Sequence, residues 1–232
     1  MPHLTLVRHA QASFFAARYD ELSELGRQQA RALGEHWLRH GVEFDSAFIG
    51  PKRRHRQTYD EVVAVYRAAG RAFPAAVELA ELDEHHGARV MNHALGHAGG
   101  EVVAPAPGDA AGRERAVREF FRAYDRIMRE WALGQHRVEG VETWEAFRAR
   151  SLRALDRLCA GNEGTRVAFT SGGLVSSAAG WLLGLDDDRV IDLSTVLRNT
   201  ALTEVHASAR RRALVSFNSL PHLPDPRAAT AV

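Results

Sequence analysis

Leu4-Thr5-Leu6-Val7-Arg8-His9-Ala10-Gln11 begins as a short apolar run and breaks off in an arginine and a histidine. Such a run, from His3 to Val7, reads as a buried strand, which places Arg8 and His9 at its carboxyl end. A loop follows to Leu22. Ser23 is then set to cap a helix starting at Glu24, with Leu22, Leu25, Leu33 and Trp37 on one face and Gly41 as its stop. The unit recurs: Asp45 to Ile49 reads as a second strand, broken by Gly50-Pro51, and a helix runs on to about Ala69.

The pattern dissolves between about Glu81 and Gly112, where His, Gly, Ala and Pro dominate, so an insertion or mobile flap is expected over about 82–140. From Val117 the residues Phe120, Phe121, Tyr124, Ile127, Met128 and Trp131 recur at helical spacing, and Trp144, Phe147, Leu152, Leu155 and Leu158 repeat it. These stripes read as core packing. Arg166 to Thr170 is a third strand, Ser171-Gly172-Gly173 a tight turn, and Leu174 to Leu183 an apolar helix ending at Gly184. Strands at about Leu202 to His206 and Arg212 to Phe217 close the pattern. Alternating strands and helices predict one α/β domain over 1–232, its mainly parallel sheet covered on both faces.

The charge balance, 30 Lys+Arg against 29 Asp+Glu, supplies no global field to draw nucleic acid or an anionic membrane. Anion recognition must therefore be local. Cys159 falls in the amphipathic stripe of Leu155 and Leu158 and reads as a buried thiol; as the single cysteine it forms no intrachain disulfide. The N-terminus lacks the basic flank and long apolar run of a signal peptide, and no later stretch is apolar enough to span a bilayer, so a cytoplasmic protein is expected.

In open α/β sheets ligands bind beyond the carboxyl ends of the strands. Three loops bring unusual polar residues there: Arg8-His9, Gly50 to Thr58, and Ser171-Gly172-Gly173. They offer an imidazole nucleophile, guanidinium groups at Arg8, Arg53, Arg54 and Arg56, and backbone N–H groups at a helix start. Phosphate chemistry needs this inventory, because arginine's planar fork neutralises phosphoryl oxygens without changing protonation. Helical spacing turns Arg53 and Arg56 away from Arg54, toward solvent.

Val7-Arg8-His9-Ala10-Gln11 resembles the R-H-G motif of the histidine phosphatases, the phosphoglycerate mutase-like superfamily. Leu22-Ser23-Glu24-Leu25-Gly26 with Gln29-Ala30 resembles that family's first helix, and Gly50-Pro51-Lys52-Arg53-Arg54-His55-Arg56-Gln57-Thr58 its second arginine motif. Downstream, Leu79-Ala80-Glu81 resembles its L-x-E acid motif. Arg198 to Glu204 and Phe217 to Leu223 resemble its closing strands. The resemblance implies a three-layer α/β/α sandwich with a mixed, mostly parallel sheet and a helical and loop insertion over the active site. It further implies a phosphohistidine on His9, phosphoryl oxygens held by Arg8 and Arg54, and Glu81 as proton donor, with Gln11, Ser13, Ser171 and Gly172 completing the pocket and no cofactor or metal. The partner is then a phosphorylated small molecule or a phosphoprotein.

Glu78 and Glu84 compete with Glu81 for the acid's role, and whichever serves needs a raised pKa. Two positions depart from the family pattern. Ala10 stands where glycine is usual, which is mild if φ stays negative. Ser171 stands where the family has its second active-site histidine, and a hydroxyl donates one hydrogen bond but carries no charge. His85, His86 or His93 from the flap are candidates to compensate. A non-catalytic phosphate- or phosphoprotein-binding protein of the same fold is the competing reading, and a mutase-type phosphotransferase a third. His93 and His97, at i and i+4, lack the glutamate of a zinc-binding H-E-x-x-H frame. The residue before Ser171 is Thr170, whereas the G-x-S-x-G elbow needs a glycine two positions earlier and the acyl-transfer reading has little else behind it.

Overall fold

A computed structural model describes residues 3–12, 20–96, 110–161, 164–207 and 211–231, without the side chains of 110–114, 116 and 117. The strands β1 (His3–Arg8), β2 (Ser46–Ile49), β3 (Ala76–Glu78), β4 (Thr165–Thr170), β5 (Leu202–Ala207) and β6 (Arg212–Ser219) form one sheet in the order β3-β2-β4-β1-β5-β6. The first four run parallel, and β5 is antiparallel to both β1 and β6. Helices α1 (Glu24–Arg39), α2 (Arg53–Ala68), α3 (Gly87–Ala94), α4 (Ala110–Ala132), α5 (Trp144–Leu158), α6 (Gly172–Leu183) and α7 (Asp187–Val196), with 3-10 turns at Ala80–Leu82 and Pro226–Ala228, complete the described elements.

Side-chain alternation along the strands sorts the layers. Leu4 and Leu6 of β1 and Ala168 of β4 pack beneath α5 and α6, with Leu155, Leu158, Leu174 and Val175. Val7, Ile49, Val167 and Phe169 face the other way, onto Leu33 and Trp37 of α1 and Tyr59 and Val62 of α2. This is the three-layer α/β/α sandwich with a mixed, mostly parallel sheet. Cys159, the C-cap of α5, is buried, and burial pushes its thiol pKa up.

Helix α1 starts where expected, with Ser23 Oγ accepting from the Gly26 N–H. Three elements were not legible as such. β3 has three residues, α7 lies between Gly184 and Asn199, and α3 occupies part of the stretch expected to be irregular. Tertiary contacts decide α3: Val90 and Met91 pack with Ile127, Trp131, Phe147 and Val190 in a third cluster built from α3, α4, α5 and α7. The glycine turn also needs correction, since Gly172 and Gly173 are the first residues of α6 and Ser171 is its N-cap.

The close approach of α1 to the loop after β1 fixes the ground on which His9 stands. A Cβ on Gly26 would collide with the Gln11 carbonyl oxygen. Gln29, one turn along, accepts from the Gln11 N–H at 2.9 Å and donates to the Ala228 carbonyl at 2.7 Å and Thr230 Oγ1 at 2.9 Å. Overpacking of this kind costs about 1–3 kcal/mol, so Gly26→Ala is expected to lower the unfolding free energy by that amount in denaturant titrations. Stability equal to wild type would mean that the Gln11 loop yields freely.

Candidate active site

Register brings the three polar loops together. Arg8 is the partner of Thr170, so His9 follows directly beside Ser171, and the His9 N–H donates to the Thr170 carbonyl at 2.8 Å. On the other side of β4, Ile49 pairs with Phe169 and the Gly50 N–H donates to the Phe169 carbonyl at 3.0 Å. α1 and α2 lie on one face and α5 and α6 on the other, so this is the crevice where the covering layers part.

His9 is buried, 8% exposed, and its Nδ1 lies 2.8 Å from the Ala10 carbonyl oxygen. A carbonyl only accepts, so Nδ1 carries the proton and the lone pair is on Nε2. Burial holds the imidazole pKa well below its ordinary value, and the Arg54 and Arg8 guanidinium groups push it lower. The surrounding backbone is tied down. Ala10 N–H donates to Thr58 Oγ1 at 3.0 Å, Asn199 Nδ2 donates to the His9 carbonyl at 3.2 Å, and the Thr200 N–H donates to the Arg8 carbonyl at 3.0 Å. Ala10 keeps φ out of the left-handed region, so glycine is not required there. Thr200 does adopt φ +58, costly for a β-branched residue, and its Oγ1 lies 2.8 Å from His222 Nε2.

Arg8 Nη1 donates to the Leu197 carbonyl, and its guanidinium borders Gly172, where a Cβ would sit 3.4 Å from Arg8 Nε. Arg54, buried in the first turn of α2, pairs through Nη1 with Asp20 at 2.8 Å and donates through Nη2 to Ser171 Oγ at 3.3 Å. Arg53 is exposed and pairs with Glu21, and Arg56, half-buried, lies over the Tyr59 ring and 3.9 Å from the Glu78 carboxylate. Gln11 serves the loop: its Oε1 accepts from Ser23 Oγ at 2.7 Å. Ser13 and His97 lie outside the described residues.

The acid loop differs from expectation. The 3-10 turn Ala80–Leu82 sends Leu82 into the core and turns Glu81 outward, where its carboxylate pairs with Arg157 at 3.1 Å. Glu84, three residues after Glu81, reaches the start of α6 and accepts from the Gly173 N–H at 3.1 Å. Arg150 of α5 pins the loop between them, donating to the Glu81 and Asp83 carbonyls at 2.9 and 2.8 Å. Neither carboxyl has the raised pKa expected of the acid. Glu81 is held low by its own backbone N–H and by Arg157. For Glu84 burial pushes upward, but His85, Arg54 and the Gly173 and His85 N–H groups outweigh it, and the net shift is downward.

One residue of the arginine motif was not singled out. His55, fully buried, lies with Nε2 2.6 Å from Ser171 Oγ and its ring 5.7 Å from that of His9. Burial, then Arg54, lower its pKa well below the ordinary value. Gly50 makes room for it, since a Cβ there would overlap His55 Nδ1. Only the crowding of two arginines around one histidine hinted at this in sequence. Of the flap histidines, His85 packs on Gly173 between Trp131 and Phe147, His86 caps α3, and His93 is exposed near His136.

Fold and site together define an α/β protein that gathers Arg8, His9, Arg54, His55 and Ser171 beyond the ends of its parallel strands. The model of the histidine phosphatase superfamily (branch 1) matches residues 4–90 and 107–220. The chain belongs to that superfamily. Among solved structures it is similar to Bacillus stearothermophilus YhfR, at TM-score 0.67 and 18% identity over 96% of this chain and 100% of that one. A phosphoserine phosphatase variant from Entamoeba histolytica, bound to phosphoserine, gives TM-score 0.62 and 19% identity over 96% and 100%. A phosphoglycerate mutase from Bacillus anthracis gives 0.59 and 15% over 95% and 94%. At these identities the likeness establishes the fold. No curated protein matches the chain in sequence. Among the described residues, no helix is long and apolar enough to cross a membrane.

The depressed histidines predict a pH-dependent stability. His222, buried near His36, is pushed down to about 4, and His9 and His55 are lowered in the same direction. Each binds its proton more readily unfolded, so its contribution is whole above pH 6.5 and is lost as pH falls toward the folded value. His222→Gln should flatten the fall of unfolding free energy between pH 6 and 4.5 by about 1.4 kcal/mol per pH unit. An unchanged slope would show that His222 titrates normally in the fold.

Proposed function

We propose that this chain is a metal-independent phosphomonoesterase working through a phosphohistidine on His9, within the phosphatase or mutase-type function that its superfamily supports. The observation that carries this reading is the His9 tautomer, which spends Nδ1–H on the Ala10 carbonyl and leaves Nε2 with its lone pair, on a ring that feels the Arg54 and Arg8 charges. Nε2 attacks phosphorus, the bond to the ester oxygen breaks, and that oxygen takes a proton from a carboxyl group. Water, deprotonated by the same carboxylate, then cleaves the N–P bond and returns His9 to its starting state. Arg8, Arg54, Ser171 and the Gly172 N–H at the start of α6 hold the nonbridging oxygens.

Glu84 is the carboxyl supported by geometry, because it faces the start of α6 whereas Glu81 is engaged with Arg157. A phosphate dianion offsets the Arg54 charge that holds Glu84 low, and so raises its pKa toward that of a working acid. The substrate is a phosphorylated small molecule, or a phosphoprotein if the 82–140 flap leaves the pocket open, and the enzyme acts in the cytoplasm as a single domain.

Hydrolysis of p-nitrophenyl phosphate from pH 5 to 8 with EDTA present tests this. Turnover should survive the chelator and fall on the order of a thousandfold or more in His9→Ala. Turnover that needs a divalent ion, or that persists in His9→Ala, overturns the proposal. Glu84→Gln should lose on the order of a hundredfold, with Glu81→Gln near wild type; the reverse ranking would return the acid's role to Glu81.

A further inference from the structure

Ser171 sits where an N-cap residue would ordinarily accept a backbone N–H of its own helix, yet its side chain caps nothing. The Glu84 carboxylate takes the Gly173 N–H instead, and Ser171 Oγ is engaged sideways by two residues of α2, Arg54 at 3.3 Å and His55 at 2.6 Å. A hydroxyl has two acceptor lone pairs and one proton. When both lone pairs are filled by donors, the proton can only point onward.

We infer that His55 and Ser171 act as one unit, in which a protonated His55 and Arg54 fill both lone pairs of Ser171 Oγ and direct its O–H to the phosphoryl group carried by His9. This rests on the phosphohistidine reading. His55 is a positioning residue and Ser171 the contact. The placement supports it: Ser171 follows Thr170, the register partner of Arg8, so its hydroxyl lies beside His9 at the strand ends, and the His55 ring backs it from α2.

The unit needs a proton on His55 Nε2 once phosphate is bound. His55 faces Arg54 and Lys52 at the start of its own helix, the Gly50 backbone, His9 from the end of β1, and Ser171. Burial first, and then the cations there, disfavour a second proton in the empty pocket. A phosphoryl dianion among the same groups offsets them and favours it. The Gly50 backbone favours the charged ring, so substrate itself arms the donor. No covalent bond changes in this step; one proton is taken up as the anion binds.

The test uses p-nitrophenyl phosphate with His55→Ala, His55→Gln, Ser171→Ala and the double variant His55→Ala/Ser171→Ala, alongside His9→Ala and the thermal unfolding of each. Removing one such donor costs about a hundredfold or more in kcat, and an indirect one about tenfold or more. His55→Ala and Ser171→Ala are expected to lower kcat with KM little changed, and the double variant to lose no more than the worse single. His55→Gln, which keeps a donor but cannot titrate, should recover part of kcat and flatten its pH dependence. Ser171→His alone should lose activity by crowding His55, and combined with His55→Ser it should exceed His55→Ser in kcat.

Folded His55→Ala with wild-type kcat, or losses that multiply in the double variant, would overturn the unit while leaving His9 as nucleophile. Activity surviving in His9→Ala would remove the phosphohistidine reading and the unit with it. Rapid-quench labelling separates a further case: an acid-stable, base-labile phosphoenzyme lost in Ser171→Ala would make Ser171 a nucleophile with His55 as its base, and would equally overturn the inference.

Discussion

The parallel pairing of β1 with β4, Arg8 opposite Thr170, is the constraint on which the site depends. It sets His9 and Ser171 side by side as the first residues beyond two adjacent strands, and neither has the chain freedom of a loop tip. β2 on the far side of β4 fixes Gly50 in the same way, and α2 leaves from that point with Arg54 and His55 in its first turn. Precision at the pocket comes from backbone ladders, to which Thr58, Asn199 and Thr200 add single hydrogen bonds. A one-residue slip of β1 would exchange the buried sets Leu4 and Leu6 for Val7 and destroy both layers, so the core enforces the register that the site requires.

Much of this was legible. Apolar runs marked β1, β2, β4 and the two closing strands, and Ser23 is the N-cap that its residue type suggested, its hydroxyl accepting from the Gly26 N–H. The unread elements share a cause. β3 is too short to show alternation, α3 is held by contacts from α4, α5 and α7, and α7 is largely polar, with Val190 and Ile191 its buried residues. Tertiary packing, not local propensity, decides such segments.

At the site, sequence could identify residue types but not their directions. Glu81 and Glu84 both lie in the acid loop; the 3-10 turn and the grip of Arg150 decide that one faces Arg157 and the other α6. His55 follows Arg54 directly, and consecutive helix positions point about a hundred degrees apart, so both turning toward Ser171 was not expected. The space beside Gly50 lets the His55 ring fold back toward β4. Sequence spacing reports which face a residue starts from, whereas a long side chain beside a glycine can leave that face.

One field accounts for the protonation states here. Burial already disfavours charge on both imidazoles, and the cations that would hold a phosphoryl dianion add to it, Arg54 and Arg8 at His9 and Arg54 and Lys52 at His55. For His9 that suits the nucleophile's role proposed for it, because a protonated Nε2 has no lone pair to give. For Glu84 the field works against acid chemistry, since it favours carboxylate over carboxyl. Binding of the proposed phosphoryl dianion would reverse both tendencies: it would shield the cations, let the carboxyl gain its proton, and permit charge on the second imidazole. In the proposed reaction, a cation-rich site with neutral histidines and an ionised glutamate is thus one electrostatic state, and the dianion it would hold is also the agent that converts it to the next.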